Sequence, residues 1–227
     1  MTILNGGLSG YSSDQALHIL PQVLPPPEQV NIKLLIIFFG ANDARLPGTG
    51  EASSPDQHVP KEAYKRNLRG IVTSDYVRAH EGVKIILVTP PPIDENLLTR
   101  KNREAKIASE YAAQVRVLAK ELQSEGLDVR CLDIWTAFMK KCGWRFGDPL
   151  LGAKDVVQQD PETGLASLLS DGLHFSAGGN RLMFQRLMGL VQEEWPQLCP
   201  EAIPFALPVW LDRKAWKEVF EKRREEQ

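Results

Sequence analysis

Ile32-Lys33-Leu34-Leu35-Ile36-Ile37-Phe38-Phe39 is nearly continuous apolar, β-branched and aromatic sequence, and it stops at Gly40. A run of this length without polar alternation reads as a parallel strand buried on both faces at the centre of a sheet. On its N-terminal side, Pro25-Pro26-Pro27 closes a short helix that carries Ala16, Leu17 and Leu20 and is opened by Ser12-Ser13-Asp14. Before that, Thr2-Ile3-Leu4 reads as a short strand running into Gly6-Gly7. On the C-terminal side, a polar loop over 46–60 leads to apolar residues at Tyr64, Leu68, Ile71, Val72 and Tyr76, one face of a helix. Val83 to Val88 is a second buried strand, halted by Thr89 and Pro90-Pro91-Pro92. A longer helical stripe follows from Ala108 to Leu122 and ends at Gly126; Val129 to Trp135 then reads as a strand. After a loop-rich stretch (143–170), a last strong helix starts at Ser176. Strands alternating with helices predict an α/β fold, with a parallel sheet covered on both faces.

The 227 residues suit one domain, taken here as 1–227, with 201–227 as a docked apolar tail and solvated helix end. Lys+Arg (27) nearly balance Asp+Glu (29), so the chain has no basic footprint for nucleic acid or an anionic membrane. The longest apolar run is far short of the ~20 residues that span a bilayer. Cys131, Cys142 and Cys199 are odd in number and lack metal-ligand spacing. These features predict a cytoplasmic protein without a metal site.

Ligands of open α/β sheets collect at the carboxyl ends of strands. Three segments there carry suitable groups. Asn5-Gly6-Gly7-Leu8-Ser9-Gly10-Tyr11 lets backbone N–H groups approach an anion, or is simply a tight turn. In Gly40-Ala41-Asn42-Asp43 the Asn amide can donate to a developing oxyanion, or the pair can cap the next segment. In Asp171-Gly172-Leu173-His174-Phe175-Ser176, the three-residue spacing lets the carboxylate hold the imidazole in the tautomer a general base needs. The bland alternative is a surface Asp beside a satisfied His. His18, His58 and His80 look ordinary.

Together these segments resemble the SGNH, or GDSL, hydrolases, nearest to the isoamyl acetate-hydrolysing esterase group. Gly7-Leu8-Ser9-Gly10-Tyr11, Ala16-Leu17, Gly40-Ala41-Asn42-Asp43-Ala44, Thr89-Pro90-Pro91-Pro92, Asp171-Gly172-Leu173-His174-Phe175-Ser176 and Trp210 to Trp216 carry the likeness. The resemblance implies a flavodoxin-like three-layer α/β/α fold with strand order 2-1-3-4-5. It implies Gly7 N–H and the Asn42 side chain as oxyanion-hole donors, His174 as general base and acid, and Asp171 as its orienter. Asp43 is structural in this scheme. It further implies hydrolysis of small acetate-like esters, with no cofactor and no metal.

The sequence departs from the family at several points. Gly6 stands where Arg is usual, Asp14-Gln15 replaces an Arg-Trp, and the stretch from Trp144 to Pro161 is longer. The family nucleophile lies in a Gly-Asp-Ser after the first strand, and no Gly-Asp-Ser occurs in these 227 residues. Ser9 nearly completes a Gly-x-Ser-x-Gly elbow, but Tyr11 breaks it. The expectation is therefore an ester hydrolase by descent, missing its nucleophile and first strand. A non-catalytic remnant that binds ligands or partners is the alternative, and an acyltransferase on the same scaffold is a third. With the first strand missing, the middle of the sheet is expected to open, unless Thr2–Leu4 shifts to fill the gap.

Overall fold

The computed structural model describes residues 2–50, 56–157, 160–203 and 207–225. Parts of the loops expected over 46–60 and 143–170, and of the tail, therefore lie outside the described residues. By contact the chain divides into two compact units, residues 3–187 and residues 188–227 with 1–2.

The larger unit is built on three parallel strands in the order β1-β2-β3: Leu34–Phe38, Lys84–Val88 and Val129–Leu132. Leu35 pairs with Ile85 and Ile85 with Val129, so all three strands run in one register toward the same end. Helices α1 (Ser13–Val23), α2 (Lys61–Thr73) and α4 (Ala105–Ser124) cover one face. There Ile37, Ile85, Leu87 and Val129 meet Leu68, Val72, Tyr111, Val115, Leu118 and Leu122. Each fully buried aliphatic side chain contributes about 1.5–3 kcal/mol. Alternation sends Ile86 and Val88 to the other face, where Phe175 stacks between Phe38 (6.1 Å) and Phe138 (4.9 Å). Lys61, Lys65 and Arg69 of α2 pair with Glu110, Glu121 and Glu125 along α4 and beyond its end. These exposed pairs fix register more than they add stability.

The strand and helix succession follows the sequence reading, with four corrections. First, Ile32–Phe39 is not the central strand. Its ordered part, β1, is an edge, and Ile36 and Phe38 are about 40% exposed, 40% and 41%. Ile86, on the neighbouring strand, is fully buried. The residue types are the same; β2 has a strand on each side and β1 has one. Second, Thr2–Leu4 forms no strand. Ile3 is 84% exposed, and with no partner ladder an isolated extended segment has nothing to pair with. No strand forms beyond β1 among the described residues, so the sheet ends there rather than opening in its middle. Third, the strand expected over Val129–Trp135 stops at Leu132, and α5 (Ile134–Lys141) begins at once. Asp133 caps it by accepting from Thr136 N at 3.0 Å. Fourth, the helix expected to reach Tyr76 breaks at Ser74. The Ser74 hydroxyl accepts from Val77 N and starts the single turn α3 (Asp75–Arg78).

α1 opens as the Ser/Asp cluster indicates: Ser12 N donates to Gln15 Oε1 at 2.9 Å, one arm of a capping box. The helix expected from Ser176 is α6, Ala177–Glu194. In the smaller unit, α7 covers Arg213–Glu225, longer than the expected helix end, and Trp216 stacks on Phe220 at 5.7 Å. No described helix is long and apolar enough to cross a membrane.

Candidate active site

The Asn42 turn follows β1 directly. Gly40 has φ +120°, and a Cβ there would sit 2.6 Å from the Tyr64 hydroxyl and 3.0 Å from Pro90 Cγ. Only glycine fits, because both the backbone angle and the space exclude a side chain. The Tyr64 hydroxyl donates to Phe39 O at 2.9 Å and seals the end of the strand.

Asp43 is fully buried. Its Oδ1 accepts from Ser13 N at 2.9 Å and its Oδ2 from Gly40 N at 3.1 Å. Burial raises its pKa above the ordinary carboxylate value, and the bonds from Ser13 and Gly40 oppose that rise. Asp43 thus ties the first turn of α1 to the end of β1, a structural role.

Asn42 faces two ways. Nδ2 donates to the Tyr11 carbonyl at 3.0 Å, while Oδ1 accepts from Arg103 Nη2 at 3.1 Å. Gly40, Ala41, Pro90, Pro91 and Arg103 line the surface alongside.

The Asp171–His174 turn is built from its own atoms. Asp171 Oδ1 accepts from Leu173 N (3.1 Å) and His174 N (2.8 Å), and Oδ2 lies 2.8 Å from His174 Nδ1. With a neutral imidazole, that contact puts the proton on Nδ1, and Nε2 is left as a base. Nε2 has no protein hydrogen-bond partner among the described residues and the ring is exposed, so it can reach a substrate or water. Partial burial pushes the Asp171 pKa up, but the His174 N–H, the His174 ring and the Leu173 N–H outweigh it and bring it down to about 2. Downstream, Ser176 Oγ donates to Ser167 O at 2.6 Å, and Ser170 N donates to His174 O at 2.8 Å; these fasten the turn to the segment before it.

The Gly7 and Ser9 segment stands differently. Gly7 N donates to Asn5 Oδ1 at 3.0 Å, so the backbone donor expected for an oxyanion is taken by its own neighbour. Ser9 is exposed, and no hydrogen bond joins it to His174 among the described residues. The Cys131 and Cys142 thiols are poor nucleophiles: desolvation pushes Cys131 up to about 12 and Cys142 up to about 11. No group of three or more metal-type ligands occurs among the described residues. Sequence reading missed Arg103 and Gln57. Gln57 donates to Gly10 O at 2.6 Å and accepts from Arg45 Nη1 at 3.0 Å, which fixes the glycine segment to the Asn42 side of the fold. Neither has a spacing relation to its partner that sequence could expose.

The model for "GDSL-like Lipase/Acylhydrolase" matches residues 2–187. The chain belongs to the GDSL-like lipase/acylhydrolase family. A relative in Mus musculus, "Isoamyl acetate-hydrolyzing esterase 1 homolog", is 33% identical over 92% of this chain and 74% of its own length. "GDSL esterase/lipase At5g62930" of Arabidopsis thaliana is 30% identical over 96% of this chain and 83% of its own. Among solved structures, the acetylxylan esterase Axe2 from Geobacillus stearothermophilus aligns with TM-score 0.56 at 19% identity, over 81% of this chain and 68% of that one. A structure described as a putative platelet activating factor from Streptococcus pneumonia aligns with TM-score 0.57 at 19% identity, over 84% and 72%. At such identities the structural likeness speaks for the GDSL-type α/β fold alone.

Proposed function

We propose that this GDSL-family chain is the acid–base and oxyanion part of a carboxylic ester hydrolase for small, acetate-like esters, working without metal or cofactor. The observation that carries this reading is the Asp171–His174 pair, 2.8 Å apart, with Nε2 open to a reactant. In such a site a serine hydroxyl gives its proton to Nε2 as its oxygen attacks the ester carbonyl. The carbonyl oxygen becomes an oxyanion, stabilised by donors such as the Asn42 amide. Collapse expels the alcohol, which takes the proton from His174, and leaves an acyl-serine. Water, deprotonated by Nε2, then releases the acid. Asp171 keeps Nδ1 protonated throughout and stabilises the imidazolium. The isoamyl acetate-hydrolysing name of the mouse relative supports a short acyl group. The odd number of cysteines, three at no metal-ligand spacing, supports a reducing, cytoplasmic setting.

The nucleophile is the unfilled role. No Gly-Asp-Ser occurs in the sequence, the Gly7 N–H is engaged by Asn5, and β1 has no strand partner on its outer side among the described residues. These observations favour, as a second reading, a non-catalytic chain that keeps a ligand-binding pocket.

One experiment separates the readings. The 227-residue chain, and the same chain preceded by a strand ending in Gly-Asp-Ser, are each assayed with p-nitrophenyl acetate and a fluorophosphonate probe. The hydrolase reading expects turnover and labelling only in the extended form, lost in H174A and lowered about 10²–10³-fold in kcat by N42A. If the extended form is folded yet inert, the binding reading takes its place. Stoichiometric labelling of Ser9 in the short chain would make Ser9 the nucleophile. Added short alcohols that divert the acyl group in place of water would mark an acyltransferase.

A further inference from the structure

The Asn42 turn and the Asp171 turn come from distant parts of the chain, and Arg103, just ahead of α4, bonds to the first of them. Its Nη2 donates to Asn42 Oδ1 (3.1 Å), its Nε to the Ala41 carbonyl (3.1 Å) and its Nη1 to Asn102 Oδ1 (3.0 Å). No carboxylate lies within ion-pair distance of it among the described residues. A guanidinium has only donors, whereas a primary amide has a donor end and an acceptor end. Facing Arg103, Asn42 must present Oδ1; flipped, its NH2 would meet the guanidinium N–H groups. The Nδ2 end is thereby sent the other way, where one hydrogen meets the Tyr11 carbonyl and the second is left over.

We propose that Arg103 is the positioning residue of the oxyanion donor: it locks the Asn42 amide and the Ala41 carbonyl so that the second Nδ2 hydrogen is kept for the substrate oxygen. This rests on the ester-hydrolase reading of the site. Arginine suits the task because three separate acceptors are held by one planar fork, which a lysine point charge cannot match. The surroundings of the cation agree. Burial and the nearby Arg45 guanidinium lower the Arg103 pKa and the Asp171 carboxylate raises it, so Arg103 is within electrostatic reach of the acid–base turn as well. Arg103 stays charged at any pH of interest.

The test uses R103M and R103K in the full chain, read first by ¹⁵N–¹H NMR of the Asn42 side-chain amide, assigned from its disappearance in N42D. R103M is expected to move that amide pair toward the free-amide position and to speed its exchange, while the backbone spectrum away from the turn is retained. R103K, keeping one donor, is expected to fall between. In the serine-bearing extended form, R103M is expected to lower kcat about 10–100-fold with KM for p-nitrophenyl acetate unchanged, short of the loss from removing the donor itself. A folded R103M whose Asn42 amide is unmoved overturns the inference, whatever the activity. If R103M does not fold, R103K decides: identity with the wild type in amide position and kcat overturns it. A kcat loss in N42A without any in R103M defeats the Arg103 role and spares the hydrolase reading. Failure of every form to turn over defeats that reading, while the amide spectrum still decides whether Arg103 orients Asn42.

Discussion

The Asn42–Asp43 turn is held through side-chain bonds to residues remote in sequence, whereas the side-chain bonds of the exposed Asp171 and His174 stay within their own turn, whose backbone is tied to Asp94 and Ser170. Asp43 reaches Ser13, thirty residues earlier in sequence, and Asn42 reaches Tyr11 and Arg103. Asp171, by contrast, bonds only within the span to His174. The first turn is therefore as stable as the packing of α1 and α4 around it. The second takes its side-chain geometry from its own carboxylate, while Asp94 N and Ser170 N donate to the Gly172 and His174 carbonyls and hold its backbone. A disturbance of the first turn should appear as lost stability; a disturbance of the second should appear as lost chemistry.

The sharpest way to break this contrast is D171N in the serine-bearing form. Loss of the carboxylate that selects the imidazole tautomer is expected to lower kcat by roughly 10⁴-fold, as for such orienting residues elsewhere. Its unfolding free energy from urea titration should stay within about 0.5 kcal/mol of the parent, the range of exposed substitutions. A large loss of stability would show that the turn is not self-contained.

D43A is the mirror experiment. It strands the buried Ser13 and Gly40 N–H groups, each costing about 1–3 kcal/mol, so urea unfolding should lose roughly 2–5 kcal/mol. Stability unchanged by D43A would mean that the turn does not depend on α1. G40A comes next: a positive φ and a clash with Tyr64 should lower stability by about 1–3 kcal/mol and loosen the Tyr64–Phe39 bond. Recovery in the double variant with Tyr64→Phe would assign the strain to that hydroxyl.

The smallest effect is in acid. The Asp171 pKa is lowered from 3.8 to about 2, so the stabilisation of the turn is complete above pH 3.8 and lost as pH falls through about 2. Because the group is largely exposed, the change should show in the Asp171 and His174 resonances rather than in global unfolding. A turn that titrates near pH 4 would contradict the bonds from His174 and Leu173.

The same distinction, local against remote, explains what was legible. The Asp171–His174 pair could be read because an i,i+3 spacing is itself the geometry. α1 could be read because Ser12 and Gln15 cap within one turn. Ile32–Phe39 was legible as a strand but not as an edge, since burial depends on a neighbour the run does not contain. The end of β3 was missed because Ile134 and Trp135 are apolar enough to continue a strand, while the Asp133 cap that starts α5 outweighs them. The bond from Gly7 N to Asn5 Oδ1, two residues away, is one that the glycine spacing does not reveal.

Sequence by itself determined the alternation of strands and helices, the family likeness, and the Asp171–His174 contact, because hydrophobic periodicity and short-range hydrogen bonds are written in adjacent residues. Only the tertiary structure decided that β1 is an edge, that Asp43 is a buried tie, and that Arg103 faces Asn42. Those relations join residues thirty to sixty positions apart. At such separations the chain's course through space, not spacing along it, selects which donor meets which acceptor.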